Sequence, residues 1–134
     1  MADFFLRQMK GTAIPGLMCV GGRFTTSTSG AISGTADVWG CTVTKTASET
    51  GRYTVTLPRP SQKLLMADVC LVGPDDAALT TTKGLIPVVR DDDIATDGTV
   101  EIQFVTSNSG NADTEVQDGA LVRFMLWLVD TSVS

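Results

Sequence analysis

Apolar and polar residues alternate along most of this chain with a period of two. The clearest run is Gly51 to Leu57 (GRYTVTL), where Tyr53, Val55 and Leu57 share one side and Arg52, Thr54 and Thr56 the other. Thr99 to Thr106 (TVEIQFVT) repeats the pattern, with Val100, Ile102 and Phe104 inward and Glu101 and Gln103 outward. Successive strand residues point to opposite faces, so such runs predict strands covered on one side. Further strands are expected over Cys41 to Thr46, which follows Val38-Trp39 in one short run, and over Leu64 to Val72. Leu64-Leu65-Met66 could instead open as a helical turn. Leu85 to Val89 is shorter, and Pro87, which has no N–H to give a ladder, places it at an edge or bulge.

The last run, Ala120 to Val129 (ALVRFMLWLV), departs from alternation. Val122, Phe124, Leu126 and Leu128 would line one face of a strand. Leu121, Met125, Trp127 and Val129 would line the other, with Arg123 the only charge. Ten residues are too few to cross a bilayer as a helix. A strand apolar on both faces is either central in a sandwich or covered by another subunit.

The segments between strands read as turns. Pro58 and Pro60, Gly73-Pro74-Asp75, Asp97-Gly98 and Asp118-Gly119 stop the ladders. Arg23 to Gly34 (RFTTSTSGAISG) suits a short strand with a turn at Ser29-Gly30. Ser107 to Asp118 is a polar connection. Met1 to Lys10 groups Phe4, Phe5, Leu6 and Met9, as a helical turn or an anchoring arm, and Gly11 to Gly22 breaks any helix. The expectation is an all-β, single-domain β-sandwich or jelly roll of about seven or eight strands over residues 23–134. Residues 1–22 form an N-terminal arm or lead-in.

With 134 residues, 43% of them hydrophobic and 19% charged, the chain is expected to bury one core. The net charge of −5 argues against a broad basic surface for nucleic acid or anionic lipid. Asp3, Arg7 and Lys10 interrupt what would have to be the apolar stretch of a signal peptide. Cys19, Cys41 and Cys70 are odd in number and widely spaced, which suits reduced thiols made in a cytoplasm better than a disulfide framework. Cys41 and Cys70 fall in strand patterns and read as small buried hydrophobes.

Candidate chemistry is sparse. The chain has no histidine, which removes the common zinc sites and every histidine-dependent triad. The run Asp91-Asp92-Asp93 followed by Asp97-Gly98 invites calcium, but counted from Asp93 the third position is Ala95 and the twelfth Phe104, so the helix-loop-helix pattern fails. A solvated turn between two strands accounts for it. Carboxylates fall mostly in turns, and Gly21-Gly22, Gly30 and Gly34 have no P-loop lysine after them. No catalytic residue, cofactor or metal site is expected, and no enzyme activity.

Gly22-Arg23-Phe24-Thr25, Ser29-Gly30-Ala31-Ile32-Ser33-Gly34, Thr42 to Thr46, Gly51 to Leu57, Leu64 to Val72 and the closing Gly119 to Val133 together cover most of the chain. In this strand-and-turn grammar it resembles small all-β virion proteins of tailed bacteriophages, most of all capsid decoration (cement) proteins. The resemblance implies a protein made in the bacterial host cytoplasm that sits on the virion capsid surface. There it would bridge neighbouring subunits of the major capsid protein and associate with itself as a trimer or dimer, without nucleic acid or membrane. A tail-fibre or spike module that binds host glycans or another virion protein shares the same grammar. The residues expected at a capsid or subunit interface are Phe4, Phe5, Leu6 and Arg7 of the arm, with Met125 and Trp127 of the last strand.

Overall fold

A computed structural model describes residues 17–61, 63–73, 85–106 and 112–129. Eight strands follow in order: β1 (Leu17–Thr26), β2 (Ile32–Trp39), β3 (Thr42–Lys45), β4 (Arg52–Thr56), β5 (Lys63–Val72), β6 (Leu85–Asp93), β7 (Thr99–Thr106) and β8 (Leu121–Val129). They form two four-stranded antiparallel sheets, ordered β2-β1-β8-β5 and β3-β4-β7-β6. The fold is a β-sandwich. Its hairpins β1–β2, β3–β4 and β6–β7 each stay within one sheet, unlike the paired Greek keys of a jelly roll.

The alternating runs place the core as their parity requires. Tyr53, Val55 and Leu57 are buried from one sheet, with Val100, Ile102 and Phe104 beside them. Met18, Val20, Phe24, Val122, Phe124, Leu126 and Leu128 meet them from the other. Tyr53 lies among Phe24 and Phe104, with ring centroids 4.9 and 5.9 Å away. Its hydroxyl donates to the Gly30 carbonyl at 2.6 Å. Burying each large side chain contributes on the order of 1.5–3 kcal/mol. Ile94, in the turn after β6, is buried, and its carbonyl accepts from the Ser61 N–H at 2.9 Å.

Four expectations change. The sequence pattern puts the lead-in at residues 1–22, yet Leu17 to Gly22 already belong to β1. Gly21 and Gly22 act there as points of close approach instead of breakers. A Cβ on Gly21 would collide with the Phe124 carbonyl oxygen, and one on Gly22 would stand 2.5 Å from the Asp37 oxygen. Second, Val38-Trp39 and Cys41 to Thr46 are not one run, because the chain passes from one sheet to the other at Gly40-Cys41. Third, Leu64-Leu65-Met66 is a bulge in β5, with Leu65 the extra residue, and not a helical turn.

The fourth concerns Gln103, expected outward and wet. It does face outward but is 1% exposed. Its amide donates to the carbonyls of Thr50 (2.6 Å) and Phe104 (3.2 Å) and accepts from Arg52 Nε at 3.0 Å, so the loop before β4 covers it. Pro87 lies, as its missing N–H requires, on the edge strand β6, which also carries a bulge between Val89 and Asp91. That strand runs on through Asp93, four residues past the expected end.

Candidate functional site

β8 is an inner strand of its sheet, between β1 and β5, and its Val122, Phe124, Leu126 and Leu128 are buried against the opposite sheet. Its other face points to solvent. The central-strand alternative for the doubly apolar run therefore holds for its inner face, which is core, and the outer face is left with Met125 and Trp127 half-buried.

Register across the sheet fixes what surrounds them. One row reads Asp37, Arg23, Arg123, Cys70 from β2 to β5. The next reads Trp39, Gly21, Met125, Asp68, and the third brings Cys19, Trp127 and Met66 together. Side chains two residues apart on a strand share a face, so these rows are one continuous surface. Its centre is sulfur and indole, and its margin is charged.

The missing side chain at Gly21 lets its neighbours come close on this surface. Trp39 lies over it, with its Cζ2 atom 3.2 Å from where a Cβ would stand. On the same face an open depression of about 350 Å³ is lined by Trp39, Met125, Arg23, Arg123, Asp37 and Asp68, among others. Arg23 Nε sits 3.5 Å from an Asp37 oxygen, but both side chains are more than half exposed, so the pair contributes at most a few tenths of a kcal/mol. Arg123 stands directly opposite Arg23, an unfavourable like-charge placement. Among the described residues no ion pair neutralises Arg123 or Asp68. Both are free to meet a ligand.

Met125 and Trp127 are thus brought into one patch with Trp39 and Met66, while Phe4, Phe5, Leu6 and Arg7 lie outside the described residues. Nothing in the local pattern marks Trp39, Arg23, Asp37 and Asp68 as partners of β8, since only register places them there. Cys70, expected to be buried, is exposed on this face. Cys41 is buried, where loss of solvation, reinforced by Cys19 nearby, pushes its thiol up to about 12. Burial also pushes the Cys19 thiol up.

Asp91, Asp92 and Asp93 lie on β6 and not in the turn itself. The turn closes with the N–H groups of Thr96, Asp97 and Gly98 all pointing at the Asp93 carbonyl, at 3.1, 2.8 and 3.0 Å. Among the described residues no three metal-ligating side chains converge. No helix among them is long and apolar enough to cross a membrane. No family model, curated protein or solved structure matches the chain.

Proposed function

We propose that this protein is a head decoration (cement) protein of a tailed bacteriophage, one that binds the outside of the capsid and bridges major capsid protein subunits. The observation that carries this reading is the outer face of the β2-β1-β8-β5 sheet. Tryptophan and methionine at its centre with arginines and aspartates at its margin is the anatomy of a protein-binding surface. A cement protein needs contact area and many copies, and this face offers area on a rigid sheet. The test is copy number in purified particles, by quantitative mass spectrometry. A count comparable to the major capsid protein is expected. A handful of copies would move the protein to a tail or spike, and its absence from particles would sink the virion reading. Trp127→Ala and Met125→Ala should each weaken capsid attachment while the circular dichroism of the free protein stays unchanged.

One observation favours a second reading, a spike or tail-fibre module binding host glycans. The depression sets an indole beside two carboxylates and two guanidinium groups, which suits a sugar ring stacked by its C–H face and held by its hydroxyls. Sugar-dependent tryptophan fluorescence that disappears in Trp39→Ala would support it. A cement protein should give no such signal.

A further inference from the structure

Six large apolar side chains stand well exposed among the described residues, and all six lie on two strands. Leu65, Met66 and Val72 belong to β5, and Ile86, Val88 and Val89 to β6. These strands are the outermost members of their sheets and adjoin on the same side of the sandwich. The opposite side, formed by β2 and β3, carries none of the six.

The two sides also differ in how their edges are guarded. An open edge strand invites pairing with another chain, and monomers blunt it with short strands, bulges and charge. β3 has only four residues, and β2 has an irregular register with exposed Ser33, Gly34, Thr35 and Asp37. β5 is ten residues long, and Asp68 is its only charge after Lys63. β6 has no charge from Leu85 to Val89, but Arg90 to Asp93 and the bulge between Val89 and Asp91 guard its second half, so β5 is the less guarded of the two.

Among the described residues the sandwich is moreover open on the β5–β6 side. Val89 pairs with the core residue Ile102, and so sits at an inward position, yet it is 40% exposed. Ala67, Val69 and Leu71, the inward residues of β5, are only half-buried, whereas those of β8 are at most 3% exposed. Among the described residues, nothing caps the core at this edge.

We infer that the β5–β6 edge is the dimer interface of this protein, closed by the same edge of a second copy across a two-fold axis. Residues 64–72 of β5, with Asp68 their one charge, call for an equally apolar partner, and the same stretch of a second copy meets this. Antiparallel pairing of β5 with β5 is self-complementary, as a two-fold interface must be. With the axis at Val69, Asp68 falls opposite the partner's Cys70, Met66 opposite the partner's Val72, and Ala67 opposite the partner's Leu71. An axis one residue earlier would set Asp68 against the partner's Asp68, a like-charge pair that disfavours that register. Pro87 makes β6 the poorer ladder, so β6 contributes packing by Ile86 and Val88.

The area suffices. A ten-residue strand is about 33 Å long, and two sheets about 10 Å apart with their side chains present an edge about 20 Å wide. That gives on the order of 600 Å² per copy, or about 1,200 Å² in all, at the lower end of specific interfaces. The inference does not rest on the virion reading, and the test is done on the free, full-length protein.

Sedimentation velocity and native mass spectrometry over a wide concentration range should find a reversible monomer–dimer equilibrium. Met66→Lys combined with Val88→Lys should raise the dimer Kd by about a hundred-fold or more. Thr35→Lys, the same charge on the guarded side, should leave it unchanged. A cysteine at the axis gives a readout independent of these charges: Val69→Cys in a Cys70→Ser background should oxidise to a covalent dimer, because paired residues across adjacent strands lie within disulfide reach. A monomer at every concentration, a trimer, or a dimer indifferent to the two lysines with no Val69→Cys cross-link would overturn the inference.

Discussion

Two cysteines on opposite sides of the sandwich have opposite prospects as nucleophiles. The thiolate is the reactive form. Cys41 is buried with its thiol pushed up to about 12, and its Sγ lies 3.8 Å from the Gly21 carbonyl. Cys70 is open to solvent. At mildly alkaline pH, iodoacetamide should modify Cys70 in the folded protein and reach Cys41 only after unfolding, as read by peptide mass mapping. Equal labelling rates in the native state would contradict the placement of Cys41. Gly51 makes a second residue-scale case. Its φ of 65° is one that side chains rarely adopt, and a Cβ there would run into the Thr114 carbonyl. The same turn receives the Glu115 carboxylate, which accepts from Gly51 N–H at 2.8 Å and Lys45 Nζ at 3.0 Å. Gly51→Ala combines backbone strain with a main-chain collision, so a loss of roughly 2–4 kcal/mol is expected in a denaturant melt. A change under about 0.5 kcal/mol would mean the turn relaxes freely.

At the scale of elements, the β6–β7 hairpin carries a like-charge cluster. Asp91 pairs across the ladder with Glu101, an arrangement that opposes folding. Asp93 has its carboxyl pKa raised, first by the charge of Asp91, then by slight loss of solvation, then by Asp97 and Asp92. An acid whose pKa is higher folded than unfolded binds protons more readily in the folded state, so its contribution to stability grows as pH falls. Asp91→Asn removes the largest cause. The variant should melt above the parent at neutral pH, and the gap should close as pH falls through the carboxylate range. A gap that stays constant across that range would mean the cluster is not repulsive in the fold. Legibility from sequence follows the same division into local and long-range terms. Tyr53, Val55, Val100, Ile102 and Phe104 were readable because parity is a property of a strand alone. The split between β2 and β3 was not, since Val38-Trp39 and Thr42 to Thr46 alternate alike while belonging to different sheets. Gln103 is polar at an outward position, and only the arrival of Thr50 and Arg52 buries it. The candidate surface was half legible for the same reason: Met125 and Trp127 stood out within their strand, whereas Trp39, Arg23 and Asp68 join them through register alone.

The whole molecule is asymmetric from side to side, and this should be visible in its dynamics. β1 and β8 in one sheet and β4 and β7 in the other have ladder partners on both sides, and most of their inward side chains are buried. Their amides can exchange only through large openings of the sandwich. β5 and β6 have one ladder partner each and half-exposed inward residues, so local opening uncovers little apolar surface. Hydrogen exchange of the dilute protein should therefore be slowest at Val100–Phe104 and Val122–Leu128 and much faster on β5 and β6. β2 and β3 are edges as well, but the chain crosses between the sheets at Gly40-Cys41 and ties them together, so they should exchange more slowly than β6. Raising the protein concentration should slow exchange on β5 alone among the edge ladders, since β5 would carry the ladder of the inferred dimer. If β5 is instead as protected as β8 in a proven monomer, that edge is closed within a single chain and the sandwich does not need a second copy.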